Sequence, residues 1–388
     1  MGDPLDWLAD AAARRTALGL VRTLHPRAAG PDGVLDLASN DYLGLSRHPV
    51  VVEGAMAALR AHGAGSTGSR LVTGSTVLHD ELEQALAARI GAASALVFSS
   101  GYLANLGAVA ALTRPGDLVV SDAGNHASLV DACRLARAEV VVVRHADPAA
   151  VQRALVPGRR AMVVTDGVFS VDGELAPLAE LHAVVRRAGA LLLVDEAHAL
   201  GVLGPGGAGA VAAAGLAGQP DIVLTATLSK SLGSQGGVVL GPALVRQHLI
   251  DTARSFVFDT GLAPSACGAA LAALGLIDAE RLAALRAATE ALADALEVPR
   301  TAGAVVRVRV GDAAQALAAQ QACLARGIRV GCFRPPSVPE GEACLRLTAR
   351  ADLSAADLVR AAEVVHAALG RGQRRAGRPA ERPQQQES

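Results

Sequence analysis

The sequence predicts an α/β protein whose larger part is a mostly parallel sheet covered by helices. Seven apolar runs rich in Val, Ile and Leu are continuous rather than alternating, which is typical of strands buried on both faces. Amphipathic segments lie between some of these runs and are expected to cover the sheet as crossover helices. The predicted strands are 95–99, 118–121, 140–144, 162–165, 191–195, 222–225 and 237–240, and the predicted helices are 103–112, 126–135 and 178–188.

A second, smaller domain is expected because 388 residues exceed the ~250–300 at which one hydrophobic core stops growing. After about residue 272 the chain becomes an Ala- and Leu-rich helix followed by short apolar runs, which predicts an α+β domain. Its predicted strands are 304–310, 328–332 and 344–348. The predicted organisation is an N-terminal segment (1–44), a large domain (45–272), a small domain (273–370) and a polar, disordered tail (371–388).

Composition restricts the class of protein and its partners. Hydrophobic residues make up 51% of the chain and the formal net charge is -1, which predicts a globular protein with no electrostatic preference for nucleic acid or anionic membrane. The five cysteines include no C-x-x-C pair, so we expect reduced thiols in the cytoplasm, with no disulfide framework and no zinc site. Acidic residues at positions 3, 6 and 10 argue against an export signal. The uncharged stretch 199–220 is interrupted by Gly-Pro-Gly-Gly, which favours a buried loop over a membrane span.

The chain contains a single lysine, Lys230, among 36 Lys and Arg residues. Arginine replaces lysine where only a positive charge is needed, but a guanidinium cannot form an imine with an aldehyde. A lone lysine therefore indicates amine chemistry, while chance survival in an arginine-biased composition is the alternative interpretation. The residues that surround Lys230 must decide between the two.

Polar side chains follow several predicted strands at the point where each strand ends. Because ligands of open α/β sheets bind beyond the carboxyl ends of the strands, these side chains form a candidate site. A Ser-Gly-Tyr turn followed by a helix offers backbone N–H groups for a phosphate. An acidic residue, two histidines and an imine-forming lysine complete what pyridoxal phosphate requires. The candidates are Gly101, Tyr102, His126, Ser170, Asp195, His198, Thr227, Ser229 and Lys230.

Competing motifs are excluded by their context. The segments 63–68 and 204–209 match G-x-G-x-x-G, but neither follows a predicted strand and opens a helix. The DEAH run at 195–198 occurs in nucleic-acid helicases, which also need G-x-x-x-x-G-K-[ST]; Lys230 follows Ser229, so that phosphate loop cannot form. No metal site is predicted.

Eight segments in this order resemble the α-oxoamine synthases, a family of pyridoxal-phosphate enzymes. The resemblance covers nearly the whole chain apart from the tail. It implies fold type I of these transferases, with a seven-stranded sheet in the large domain and a homodimer whose active sites lie at the subunit interface. The segments are SNDYLGL (39–45), GSTGSRLVTGS (65–75), SSGYLAN (99–105), HASL (126–129), TDGVFSVDG (165–173), VDEAH (194–198), TLSKSLGSQGG (227–237) and RLT (346–348).

The resemblance assigns cofactor contacts to the catalytic candidates. Lys230 would hold the cofactor as an imine and, once displaced, act as the base on the substrate's α-proton. Asp195 would pair with the pyridine nitrogen and keep it protonated, although a helix N-cap is its structural alternative. His198 would form a hydrogen bond with the phenolic oxygen, and His126 would stack on the ring and relay a proton.

The remaining assignments concern the phosphate and the substrates. Gly101, Tyr102, Thr227 and Ser229 would contact the phosphate, and Ser170 would orient the cofactor. Arg346 and Thr348 would meet the substrate carboxylate and acyl group. Arg22 matches, within one residue of register, an arginine that contacts the acyl donor; a solvated helical arginine is its alternative interpretation. The family usually has glycine where this chain has Ala199. If that position needs a positive φ or a close approach to the cofactor, the added methyl group costs on the order of 1 kcal/mol or forces a local shift.

The implied reaction is a decarboxylative condensation of an amino acid with an acyl thioester, for which L-alanine and a pimeloyl thioester are the expected pair, carried by coenzyme A or by acyl carrier protein. Glycine with acetyl-CoA or succinyl-CoA, and serine with a fatty acyl-CoA, are the sister reactions. Transamination or β-elimination on the same fold is a different class of function. A non-catalytic partner subunit is a third class, and the presence of Lys230 argues against it.

Overall fold

Two sheets organise the chain in a computed structural model that describes residues 3–27, 29–30 and 32–370. Seven strands form the larger sheet and four form the smaller one. The predicted disordered tail, 371–388, lies outside the described residues.

The described part of the chain contains eleven strands and fourteen α-helices. The strands are β1 (Leu35–Leu37), β2 (Ser94–Phe98), β3 (Leu118–Asp122), β4 (Glu139–Val143), β5 (Ala161–Asp166), β6 (Leu191–Asp195), β7 (Ile222–Thr227), β8 (Gly237–Gly241), β9 (Val305–Gly311), β10 (Ile328–Phe333) and β11 (Ala343–Thr348). The α-helices are α1 (Asp6–Ala17), α2 (Pro49–His62), α3 (Val77–Ile90), α4 (Gly101–Leu112), α5 (Ala127–Leu135), α6 (Pro148–Ala154), α7 (Leu178–Ala188), α8 (Ala210–Ala213), α9 (Ala243–Thr252), α10 (Arg254–Val257), α11 (Pro264–Leu274), α12 (Ala279–Ala295), α13 (Ala313–Ala325) and α14 (Ala355–Ala368).

The large sheet has the strand order β2-β8-β7-β6-β5-β3-β4. Strand β8 runs antiparallel to both of its neighbours, and the other pairs are parallel. This arrangement confirms the predicted mostly parallel, seven-stranded sheet. Each predicted strand coincides with an observed strand to within about two residues, and the predicted helix 178–188 has the observed bounds.

Continuous apolar runs form the central strands because helices cover both faces of the sheet. In β6, Leu192 and Val194 pack into one hydrophobic cluster, while Leu193 packs into the cluster on the opposite face. Side chains alternate between the two faces of a strand, so neither face leaves room for an exposed polar residue. The same alternation separates Val97 from Leu96 in β2.

The smaller sheet has the order β1-β10-β11-β9 and contains the three strands predicted after residue 300. The fourth strand, β1, was not predicted, since three residues of Leu-Asp-Leu carry no readable periodicity. It pairs in parallel with β10, which attaches the N-terminal segment to the C-terminal part of the chain. This pairing positions residues 38–45 beside the large sheet, and the domain boundaries themselves stay predictions.

The uncharged stretch 199–220 is a series of turns around a 3-10 helix, Pro205–Gly207, and the one-turn helix α8. Ala199, Leu200 and Val211 are buried in the main hydrophobic cluster, in agreement with the predicted buried loop. Within the described residues, no helix has both the length and the apolar character needed to cross a membrane.

Candidate active site

The carboxyl ends of β6 and β7 bring Lys230 close to the DEAH segment. Asp195 ends β6 and is level with Thr225 of β7, five residues before Lys230. The Lys230 Nζ atom lies 2.9 Å from His198 Nε2. Residues separated by more than thirty positions are thereby joined at one sheet edge, as the parallel arrangement predicts.

Burial makes Lys230 an unusually weak base. Desolvation lowers the pKa of its amine to about 8, and the charge of Arg346 acts in the same direction. Asp195 and Asp166 act against this shift but do not cancel it. An amine with a pKa near the working pH exists partly in its neutral form, which is the form that attacks an aldehyde or accepts a proton.

Asp195 is buried and has a defined set of hydrogen bonds. One oxygen accepts from Asn105 Nδ2 at 2.7 Å and the other accepts from the backbone N–H of Ala197 at 2.8 Å. The second bond is the kind that a helix cap makes, but residues 197–200 form turns and no described helix begins there. The structure therefore gives Asp195 a local backbone contact without the predicted alternative role of helix N-cap.

A second buried carboxylate, Asp166, lies level with Asp195 on the neighbouring strand β5. Burial and the charge of Asp195 together raise the pKa of Asp166 well above its ordinary value. Its Oδ2 atom is buried without a hydrogen-bond partner. Two adjacent carboxyl groups in a desolvated site do not both ionise at low cost, and the raised pKa of Asp166 means that its carboxyl group keeps a proton more readily than an ordinary aspartate does.

His126 precedes helix α5 and is linked to Asp195 through side chains. Its Nδ1 atom lies 2.8 Å from Ser128 Oγ, and that hydroxyl accepts from Asn105 Nδ2 at 2.8 Å. The ring nitrogen also accepts from the backbone N–H of Ser128, which caps the helix. Burial lowers the pKa of His126, although the charge of Asp195 partly opposes this. A neutral imidazole is thus fixed at the start of the helix.

The start of helix α4 forms a cradle with the end of β7. A Cβ atom on Gly101 would lie 3.1 Å from Thr227 Cβ, a tight contact that favours glycine at this position. Thr227 Oγ1 and Ser229 Oγ are hydrogen-bonded at 2.7 Å beside it. Backbone N–H groups at the first turn of a helix suit an anion such as phosphate. The Tyr102 side chain is exposed and donates to Asp131 Oδ2 at 2.5 Å, so only its backbone lies at the cradle.

Two predicted substrate residues come from strand β11 of the small sheet. Arg346 is 4% exposed and donates from Nη2 to Asn40 Oδ1 at 3.1 Å, while its Nε has no partner. Thr348 is fully buried and its hydroxyl has no partner either. The positive charge of Arg346 contributes to lowering the pKa values of both Lys230 and His198, which places Arg346 at the same site.

The structure does not join every predicted residue to this cluster. Ser170 is partly buried in the loop after β5 and makes no hydrogen bond to the other candidates. Arg22 is exposed in the irregular segment between α1 and β1, and its side chain makes no hydrogen bond to the other candidates. Their proposed roles stay predictions.

Sequence reasoning assigned no role to Asn40, Tyr42 or Asn105, although all three contact the cluster. Tyr42 Oη lies 2.5 Å from His198 Nδ1, and Asn105 joins Asp195 to Ser128. Each lies in a segment that carried the family resemblance, SNDYLGL or SSGYLAN. Those motifs were the available signal, but only the fold shows which of their side chains turn towards the site.

Ala199 does not strain the backbone. Among the described residues, the non-glycine positions with positive φ are Thr67, Arg137, Ala146 and Glu297. The Ala199 methyl is completely buried within the main hydrophobic cluster. An alanine is thus accommodated here by packing, and the strain considered for a left-handed position does not arise.

The residues of this cluster fit pyridoxal phosphate. Seven buried side-chain atoms among the described residues lack hydrogen-bond partners, and four belong to Asn105, Asp166, Arg346 and Thr348 at this site. Buried polar atoms are normally satisfied, so a concentration of orphans indicates a position for a polar ligand. The lysine, the phosphate cradle and the buried carboxylate correspond to the aldehyde, the phosphate and the ring nitrogen of that cofactor.

Comparison with known proteins shows which family this chain belongs to. The family described as aminotransferase class I and II matches residues 32–365. More closely, the chain belongs to the 8-amino-7-oxononanoate synthase family. It is 62% identical over 367 residues to the 8-amino-7-oxononanoate synthase of Mycobacterium sp. (strain JLS), covering 93% of this chain and 96% of that protein. It is 60% identical over 376 residues to the enzyme of that name from Mycolicibacterium gilvum (strain PYR-GCK), covering 95% and 98%.

Solved structures agree with this placement. Serine palmitoyltransferase of Sphingomonas wittichii superposes with a TM-score of 0.89 at 32% identity, covering 96% of this chain and 99% of that one. Serine palmitoyltransferase from S. paucimobilis with a bound PLP–myriocin aldimine gives 0.88 at 32% identity, covering 95% and 100%. The 8-amino-7-oxononanoate synthase of Francisella tularensis gives 0.75 at 26% identity, covering 88% and 99%. These likenesses confirm the predicted fold type I.

Proposed function

We propose that the chain catalyses the decarboxylative condensation of L-alanine with a pimeloyl thioester, a step of biotin biosynthesis. The products are 8-amino-7-oxononanoate, CO2 and the free thiol of the carrier. The observation that carries this proposal is 60–62% identity to named synthases over more than nine-tenths of both chains. The five cysteines are free thiols, which supports the cytoplasm as the place of action.

Pyridoxal phosphate is the proposed cofactor, with Lys230 as its covalent attachment. When bound, this cofactor supplies an electron sink that stabilises negative charge at the α-carbon of an amino acid. The start of α4 at Gly101, with Thr227 and Ser229, would hold its phosphate. Asp195 would pair with the ring nitrogen and His198 with the phenolic oxygen, while His126 would cover the ring and Ser170 would orient it.

Residues of the chain would bind the substrates and move the proton. Arg346 would hold the carboxylate of alanine, for which its buried, partly unpaired guanidinium is suited, and the Thr348 hydroxyl would contact the acyl group. Lys230, released from the cofactor, would accept the α-proton, because a pKa of about 8 leaves the amine partly neutral at working pH. Arg22 would meet the acyl donor.

The proposed reaction conserves atoms and charge. The α-carbon of alanine bonds to the carbonyl carbon of the thioester, the carbon–sulfur bond breaks, and the departing thiolate takes up a proton from solvent. The carboxylate of the resulting β-keto acid departs as CO2, and Lys230 or His126 returns a proton to the same carbon. Proton loss before the donor arrives would racemise alanine, so binding of the thioester must precede it.

Steady-state comparison of substrates tests the proposal. We expect L-alanine with a pimeloyl thioester to give the highest kcat/KM. Glycine with the same donor is expected to react about 10–200-fold less well, because one methyl in an apolar pocket discriminates by that factor. Acetyl-CoA is expected to be a much poorer donor, because it lacks the distal carboxylate that a cationic side chain would hold.

Other outcomes would reassign the substrates within the same family of reactions. A preference for glycine with acetyl-CoA would move the chain to glycine acetyltransferases. A preference for L-serine with palmitoyl-CoA would move it to the activity named for its structural relatives at 32% identity. Pimeloyl-CoA and pimeloyl-acyl carrier protein are both offered, since the residues described do not distinguish the carrier.

A homodimer is the proposed assembly, and exposed apolar side chains beside the cradle support it. Leu71, Val72 and Phe258 are 52%, 78% and 71% exposed. Their two segments are joined by the bridge between Ser69 and Thr260. The segment that contains Phe258 is also linked to the residues just before α4, because Ser99 donates a hydrogen bond to Asp259. Contiguous exposed apolar surface at a functional site marks a protein interface.

Sedimentation velocity tests the assembly. The wild-type chain is expected to sediment as a dimer, and Val72→Asp is expected to shift it towards the monomer because a charge would be buried at the interface. Leu244→Asp is the matched control, since Leu244 is 85% exposed on helix α9, outside those two segments. A monomeric wild-type chain, or equal shifts in both variants, would contradict this placement of the interface.

A further inference from the structure

A series of close polar contacts joins Lys230 to Arg346 through three side chains. Lys230 Nζ lies 2.9 Å from His198 Nε2, and His198 Nδ1 lies 2.5 Å from Tyr42 Oη. Tyr42 Oη lies 3.3 Å from Asn40 Oδ1, which accepts from Arg346 Nη2 at 3.1 Å. Tyr42 is completely buried, so its hydroxyl is shielded from water. The series connects the proposed base to the proposed carboxylate-binding arginine.

We propose that Tyr42 is a positioning residue that fixes the tautomer of His198. Its hydroxyl donates to Nδ1 of His198, so the imidazole carries its own proton on Nε2, the nitrogen that faces Lys230. The inference rests on the proposed function, in which His198 serves the phenolic oxygen of the cofactor. It adds a residue to that site for which no role has been assigned.

The distances favour one direction for the bond. Of the two acceptors within reach of the Tyr42 hydroxyl, His198 Nδ1 is the nearer, at 2.5 Å. The alternative acceptor for the hydroxyl, Asn40 Oδ1, is farther away at 3.3 Å and already accepts from Arg346. The Tyr42 proton is therefore directed to His198 rather than to Asn40.

The ionisation states agree with this direction. Burial raises the pKa of Tyr42 to about 12, so the phenol keeps its proton at working pH. Burial, and then the positive charges of Lys230 and Arg346, lower the pKa of His198 well below its ordinary value. A neutral imidazole has one donor and one acceptor nitrogen, so a donor at Nδ1 leaves Nε2 as the protonated atom.

The protonated Nε2 has a consequence at each stage of the proposed reaction. In the apoprotein above about pH 8, where the amine of Lys230 is mostly neutral, it donates to the lone pair of that amine and favours the uncharged form. Towards the cofactor it offers a donor to the phenolic oxygen, whereas the other tautomer would present a lone pair to an acceptor. The charges of Asp195, Asp166 and Arg346 affect the pKa of Lys230, and His126 affects the pKa of His198. None of these four side chains is hydrogen-bonded to Nδ1 of His198.

Nitrogen NMR of the apoprotein with 15N-labelled histidine tests the tautomer directly, without cofactor or activity. His198→Gln identifies the two signals of His198. In the wild type we expect Nδ1 to show the shift of an acceptor nitrogen and Nε2 that of a protonated one. In Tyr42→Phe, which removes only the hydroxyl, we expect the population ratio of the Nε2–H tautomer to the Nδ1–H tautomer of His198 to fall about fivefold or more. This is the effect expected when one hydrogen bond that favours the first tautomer is lost. Tyr102→Phe is the matched control, because it removes the other tyrosine hydroxyl, which bonds Asp131.

The single lysine provides a second readout in the same proteins. Lysine labelled at Nζ gives one side-chain signal, that of Lys230. We expect its titration midpoint, about 8 in the wild type, to rise in Tyr42→Phe, because Nε2 then presents a lone pair that favours the ammonium. A His198 tautomer that stays unchanged in Tyr42→Phe, or a wild-type Nδ1 that is protonated, would overturn the inference.

The same experiments distinguish failure of the Tyr42 inference from failure of the proposed function. An unchanged tautomer in Tyr42→Phe together with normal condensation by the wild type removes the role of Tyr42 alone. A shifted tautomer in a protein that condenses no amino acid with any thioester removes the proposed reaction and keeps the positioning role. Circular dichroism of each variant verifies that the fold is retained.

Discussion

Lys230→Arg is expected to abolish both covalent capture of pyridoxal phosphate and turnover. Arginine keeps the positive charge and much of the length, but its guanidinium does not form an imine. Because the chain has no other lysine, no neighbouring side chain can substitute. Absorbance of the bound cofactor should disappear in the variant. Borohydride reduction of the wild type should fix the cofactor to the peptide that contains Lys230.

The pH dependence of capture gives this prediction a second test. Burial lowers the pKa of Lys230 to about 8, so the rate at which the apoprotein captures the cofactor should rise with pH and level off above about 8. With an ordinary lysine, the capture rate would keep rising with pH up to the usual lysine pKa of 10.5. The folded state also binds this proton less tightly than the unfolded chain does, so this group favours folding increasingly between about 8 and 10.5. A label fixed to the N-terminal amine would refute the assignment.

Asp195→Asn is expected to lower kcat by roughly a hundredfold or more while the protein still folds. The side chain keeps its shape, but it loses the negative charge that would hold the ring nitrogen protonated. Removing one preorganised electrostatic group of this kind typically costs ~10²–10³ in kcat. Burial is the main cause of the raised pKa of Asp166 and the charge of Asp195 adds to it, so in the variant that pKa should fall but stay above its ordinary value.

Asp117→Asn is the matched control for this substitution. Asp117 is also buried and lies just before β3, at the opposite edge of the sheet, where it pairs with Arg160 at 2.8 Å. We expect this variant to lose stability without a comparable loss of kcat. Near-normal turnover by Asp195→Asn, measured with saturating cofactor, would instead show that Asp195 serves the turn at Ala197.

The sequence by itself was sufficient for the large sheet and for the position of the reactive lysine. Runs such as Leu191–Asp195 are apolar on both faces, and only a strand covered on both sides satisfies that pattern. The strand-end rule then placed Asp195, His198 and Lys230 at one edge, because parallel strands end on the same side. Each of these predictions uses information that lies within a few residues along the chain.

Only the tertiary structure decided which further side chains complete the site and in what state. Tyr42 meets His198 across 156 positions of sequence because the three-residue strand β1 pairs with β10, a contact that no local pattern encodes. The same holds for Asn105 against Asp195, and for the outward direction of the Tyr102 side chain. The lowered pKa of Lys230 depends on desolvation, which is a property of everything packed around the amine. Local sequence fixes periodicity and chemistry, whereas burial and long-range pairing arise only when distant segments close on one another.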